Sequence, residues 1–171
     1  LLTELNKEVK QGTFDIAILG SPKRKRMTQK IAQFLDTSIF FVKNFNPSWD
    51  YKILLCVDDS RATKRAVILS TRISKQFSAD ITSVTVSKTS FFGKGYRNAH
   101  IWAERYLKRQ NITFESRFLS GNPVDVFINE AGGNHIIIMG KAKGNEIIKF
   151  VLGSKPIHTA QRANCPVLLV N

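Results

Sequence analysis

At 171 residues the chain is long enough for one compact domain, or for one domain and a fragment of another, and too short for two ordinary domains. Its 26 basic residues against 13 acidic ones leave a formal charge of +13, which favours polyanionic partners: nucleotides, nucleic acid or an anionic membrane surface. No apolar run approaches the roughly 20 residues that cross a bilayer, and Leu1 to Glu8 lacks the pattern of a secretory signal, so a cytoplasmic location is expected.

Leu2, Leu5 and Val9 are spaced for a short amphipathic helix. Phe14 to Ser21 is an apolar strand closed by Gly20-Ser21, and Lys23-Arg24-Lys25-Arg26 is the one tight basic run. That run reads either as a solvated loop and helix start or as an anion patch. Phe34, Phe40 and Phe41 stand at core-like spacing instead of alternating with it, which makes nucleic acid the weaker partner class. After the strand Ile39 to Val42, Phe45-Asn46-Pro47-Ser48 reads as a linker.

Lys52 to Val57 is a buried strand that stops at Asp58-Asp59-Ser60, where Ser60 is placed to cap a helix. Ala62, Ala66, Leu69, Ile73 and Phe77 then recur at helical spacing on one apolar face. Ile81 to Val86 is a β-branched strand and Ser87 to Gly95 a loop. Asn98 to Arg109 is a helix with Ile101, Tyr106 or Leu107 inward, and Ile112 to Leu119 is a strand. Gly121-Asn122-Pro123 opens a short helix from Val124 to Ala131, ended by Gly132-Gly133. His135 to Met139 and Val167 to Val170 are near-continuous apolar strands around a helical stretch from about Asn145 to Arg162. Strands alternating with helices imply right-handed crossovers and a parallel sheet covered on both faces. Asp58, Val86 and Gly140 then sit near one crevice beyond the strand ends.

The chain also repeats itself. Phe14 to Ser21 parallels Asn134 to Lys141, and Ile31 to Asn44 parallels Thr159 to Asn171. Residues 1–44 thus read as the C-terminal part of a first repeat, 45–50 as a linker and 51–171 as a complete unit. Cys56 and Cys165 lie in apolar strand contexts and read as buried reduced thiols. His100, His135 and His158 are dispersed without metal-ligand spacing, and no nucleophile stands beside a base, so an enzyme is not expected.

Gly140, Lys141, Lys143 and Gly144, followed by Gly153-Ser154, make a loop after a buried strand and before a helix. Glycine there permits close backbone approach, the helix start offers N–H groups, the lysines supply charge and Ser154 a hydroxyl, a pattern suited to phosphate and equally to a plain turn. These segments, with Ala163 to Val170 and Tyr51 to Ser60, resemble the universal stress protein family over Tyr51 to Asn171. The resemblance implies an α/β fold with an open parallel five-stranded sheet, strand order 3-2-1-4-5, and helices on both faces. It implies a regulatory stress-response module that binds ATP or a related adenine nucleotide, magnesium accompanying the phosphates, with weak ATP hydrolysis as a third reading. Asp58 would lie at the adenosine end, where helix capping is its other reading, and Val86 would line the adenine pocket. The family's second loop glycine is replaced by Lys143, which either crowds the phosphates or binds them. The last strand is expected to pair antiparallel with its counterpart, in a homodimer or within the chain with Ile39 to Val42. The alternative function is a nucleotide-free interaction domain, for example the cytosolic part of a transporter, meeting an anionic membrane or a protein partner.

Overall fold

The computed structural model describes residues 2–12, 14–20, 25–88, 93–141 and 155–171. Along them run α1 (Leu2–Gln11), β1 (Ile16–Gly20), α2 (Lys25–Phe34), β2 (Ser38–Val42), β3 (Lys52–Val57), α3 (Arg61–Phe77) and β4 (Ile81–Ser87). Then follow α4 (Lys94–Arg109), β5 (Phe114–Ser120), α5 (Pro123–Glu130), β6 (His135–Gly140), α6 (Lys155–Arg162) and β7 (Val167–Val170). The strands form one sheet in the order β1-β2-β7-β6-β3-β4-β5.

Every neighbouring pair is parallel except β2 and β7, which run antiparallel with Ile39 opposite Leu169 and Phe41 opposite Val167. The expected sheet of five parallel strands in the order 3-2-1-4-5 is therefore corrected to a mixed sheet of seven. The reason is the edge of β7. Val167 to Val170 are all buried, and an apolar strand left with one side unpaired would expose a row of N–H and C=O groups. The anticipated pairing with Ile39 to Val42 supplies the partners.

Successive strand residues point to opposite faces, so the sheet carries two cores. One gathers Phe41, Ile137, Leu169 and Val84 beneath α1, α2, α5 and α6, through residues such as Leu5, Ile31, Phe127 and Ile157. The other gathers Ile53, Leu55, Val57 and Ile81 beneath α3 and α4, through Ala66, Val67, Ala103 and Leu107. Polar ties join the first segment to residues on either side of the last strand: Lys43 Nζ donates to the Ala163 carbonyl at 2.8 Å and the Asn171 N–H to Ser38 Oγ at 3.2 Å.

Local chemistry explains the boundaries. α5 begins as expected, with Asn122 Oδ1 accepting the Val124 N–H at 3.0 Å and Pro123 in the first turn. α4 starts at Lys94, ahead of the expected Asn98, and only its part of the inward triad holds: Leu107 is buried, Tyr106 half-buried, and Ile101 is 38% exposed. Phe77, counted on the apolar face of α3, is 74% exposed at the helix end. Phe34 is likewise exposed, whereas Phe41 is buried. The helix expected from Asn145 is described from Lys155 onward; its earlier part lies outside the described residues. Among the described residues no helix is long and apolar enough to cross a membrane.

His100 of α4 is half-buried between Thr85 Oγ1, 3.0 Å from Nδ1, and Ser116 Oγ, 3.4 Å from Nε2. Burial lowers its pKa below the ordinary 6.5, against the pull of Glu104 3.6 Å away, and burial lowers His135 too. Folding therefore favours the neutral rings. Stability is fully present above pH 6.5 and is lost as pH falls through that value toward the folded pKa, because the unfolded chain binds more protons. Thermal melts from pH 8 to pH 5 are expected to show a declining midpoint, and His100→Gln to remove part of the decline.

Candidate functional site

β3, β4 and β6 lie side by side and end together, Val57 opposite Thr85 and Cys56 opposite Met139. Beyond their ends opens a crevice walled by Asp58, Val86, Met139, Phe127, Tyr96 and Lys155, at the carboxyl edge where open α/β sheets take ligands. Its enclosed void is about 10 Å³, room for a single water. Anything larger has to lie across the open mouth.

Asp58 is held by the start of α3. Its Oδ1 accepts the Ser60 N–H at 3.0 Å and the Thr63 hydroxyl at 2.5 Å, while its own N–H donates to Thr63 Oγ1. Ser60 itself makes no side-chain cap, and the Asp58 carboxylate closes a turn onto the Ser60 N–H just ahead of the helix instead of accepting an N–H of its first turn. Oδ2 has no hydrogen-bond partner among the described residues, which leaves one acceptor on the crevice wall. Val86 is buried and presents an apolar surface beside it. Cys56 also reaches the crevice, but burial, then the charge of Asp58, push its thiol well above its ordinary pKa, so it is a poor nucleophile there.

Gly140 faces α3. A Cβ built on it would lie 2.7 Å from the Ala62 carbonyl carbon and from the Thr63 nitrogen, so the missing side chain is what lets the first turn of α3 seat against the end of β6. Lys141 donates its N–H to the Val170 carbonyl and turns its ammonium to the Leu35 carbonyl just past α2; it is not among the crevice walls. Lys143, Gly144, Gly153 and Ser154 lie outside the described residues.

The apolar walls Met139 and Phe127 and two polar ones, Lys155 and Tyr96, were not assigned to the site from the sequence. Lys155, at the head of α6, donates to Tyr96 Oη at 3.3 Å and lies 5.7 Å from the ring centroid. Tyr96 fell between an expected loop and an expected helix. The available signal for Lys155 was its place directly after Gly153-Ser154.

A profile of the universal stress protein family matches residues 51–171. The chain belongs to that family. Comparison with curated protein sequences gives no significant match. Among solved structures, a universal stress protein from Archaeoglobus fulgidus superposes with a TM-score of 0.77 at 16% identity, over 99% of this chain and 64% of that one. A universal stress protein in complex with cAMP gives 0.59 at 22% identity, over 71% and 97%. The universal stress protein of Lactobacillus plantarum gives 0.55 at 16%, over 72% and 99%. At these identities the likeness establishes the fold of this universal stress protein, and the chain spans under two thirds of the Archaeoglobus protein's length.

Proposed function

We propose that this universal stress protein is a regulatory module whose crevice binds an adenine nucleotide, ATP or a relative of it such as a cyclic monophosphate. The observation that carries the reading is the convergence of an apolar wall, an acceptor unpaired among the described residues and a cation at the ends of β3, β4 and β6. Val86, Met139 and Phe127 suit a base, Asp58 Oδ2 suits ribose hydroxyls, and Lys155 suits phosphate. The complex of one relative with cAMP supports the ligand class. Gly140, Lys143, Gly144, Gly153 and Ser154 complete the phosphate side in this reading, magnesium arriving with the phosphates, while Lys141, with its N–H on the Val170 carbonyl and its ammonium on the Leu35 carbonyl, is turned away from it.

Residues 1–44 are proposed as the C-terminal part of a first repeat and 45–50 as a linker, so that β2 and β7 form the contact a homodimer of complete units would make. The protein acts by changing partner contacts on binding, not by catalysis. Lys143 and the small void favour a second reading, an interaction domain without nucleotide, and one titration separates the two. Calorimetry with ATP, ADP, AMP and cAMP is expected to give binding heat for at least one. Lys155→Ala is expected to weaken ATP about tenfold, the scale of one charge-assisted contact. Absence of heat and of any thermal shift at millimolar concentrations of all four would leave the nucleotide-free reading.

A further inference from the structure

α3 and α4 lie side by side over the same core, and their outer sides differ in charge from the rest of the chain. α3 carries Arg61, Lys64, Arg65, Arg72 and Lys75, all exposed, and no acidic residue. α4 carries Lys94, Arg97, Arg105, Lys108 and Arg109, all exposed, against Glu104 alone, which is turned toward His100. At about 100° per residue each set falls on one stripe of its helix. The stripes match: Arg61, Lys64, Arg72 and Lys75 flank Ile68 as Lys94, Arg97, Arg105 and Lys108 flank Ile101.

Among the described residues none of these cations forms an ion pair. Lys75 donates to Gln110 Oε1, and Lys64 lies 5.5 Å above the Trp102 ring. Clustered like charges repel, and an external negative surface relieves them. We propose that the outer face of α3 and α4 is a docking surface for an anionic lipid bilayer.

Shape and apolar content favour lipid over nucleic acid. Helices of 17 and 16 residues make a plate about 25 Å long, with no projecting helix to enter a groove. Ile101 stands exposed on it with half-buried Ile68 at the matching place on α3, while Trp102, stacked on Tyr106 with centroids 5.4 Å apart, packs toward the second core. Basic stems beside aliphatic surface suit the headgroup boundary. A single strand would ask for a free aromatic face, and the Trp102 ring is already engaged by Tyr106 and Lys64.

The test is flotation of the full chain, without nucleotide, on vesicles of phosphatidylcholine with about 30% phosphatidylglycerol and on pure phosphatidylcholine, at about 50 and 500 mM salt. Binding is expected to the anionic vesicles only, and to fade at high salt. Each basic residue near an anionic leaflet is worth about fivefold in partition, so R65E/R72E/R105E is expected to lose at least about 100-fold. K7E/K10E/K30E, the same charge change on α1 and α2, is expected to lose less than about tenfold. Ile101→Ser, which keeps every charge, is expected to weaken vesicle binding at both salts. No partition at low salt would overturn the proposal. So would equal losses in the two triple variants, or tighter binding of a DNA or RNA oligonucleotide than of vesicles that the first triple abolishes. None of these outcomes bears on the crevice, which is read by calorimetry.

Discussion

Gly140→Ala is expected to lower the unfolding free energy by about 2–3 kcal/mol and the melting midpoint by roughly 5–10 °C, with no nucleotide present. The new Cβ would meet the Ala62 carbonyl carbon and the Thr63 nitrogen at 2.7 Å and the Ala62 Cβ at 2.9 Å. Two of those atoms are backbone in the first turn of α3, whose other side is packed into the core through Ala66 and Val67. The helix cannot swing away without opening that contact, and β6 is held between β3 and β7. Ala62→Gly should not rescue the variant, because it removes the one side-chain atom and leaves both backbone atoms in place. A melting midpoint unchanged from the parent, or full rescue by Ala62→Gly, would refute this account of Gly140. Displacing the first turn of α3 also displaces the Thr63 hydroxyl that holds Asp58, so nucleotide affinity should fall along with stability.

How much of this could be read from residues alone varied with the range of the interaction. Strands such as Lys52 to Val57 and the helix start at Asn122-Pro123 depend on neighbours in sequence, and both were legible, whereas the cap expected from Ser60 is not made. The convergence of Asp58 and Val86 at one crevice followed from strand alternation, because a parallel sheet aligns its carboxyl ends. The strand count was not legible from the complete unit by itself: β1 and β2 join through one antiparallel contact made by Ile39 to Phe41, more than a hundred residues from its partner in sequence. The role of Gly140 was half visible. A glycine ending a strand announces a close approach, but whether a ligand or a helix makes the approach depends on where α3 lands. Charge behaved the same way. Along the sequence the lysines and arginines of α3 and α4 are interspersed with Ala, Val, Ile and Ser and look diffuse, and only helical spacing gathers them on one face. Ile101 and Phe77 were assigned inward by period alone, yet each sits where its helix turns outward or ends. Lys155 escaped because its meaning comes from Tyr96, far away in the chain.

The largest loss of stability is expected from Phe41→Ala, about 3–5 kcal/mol for emptying a buried aromatic site. Phe41 is 1% exposed, pairs with Leu19 on β1 and Val167 on β7, and shares a core with Ile137 and Leu169. Its value as a test lies in where the loss is felt. If residues 14–44 merely leaned on a self-sufficient unit at 51–171, the substitution would melt the first segment early and leave the rest where it was. A continuous seven-stranded sheet with one core running under β2, β7 and β6 predicts a single transition that moves as a whole by roughly 10 °C or more. The chain has two tryptophans, Trp49 and Trp102. In a Trp49→Phe background the fluorescence reports Trp102 alone, which packs against the second core on the far face of the sheet from Phe41. Trp102 fluorescence and far-ultraviolet circular dichroism should then fall together, both shifted by Phe41→Ala. A Trp102 transition that stays at the parent temperature while part of the dichroism is lost earlier would mean that the two segments fold as separate units and that the β2–β7 pairing is a docking contact, not a shared core.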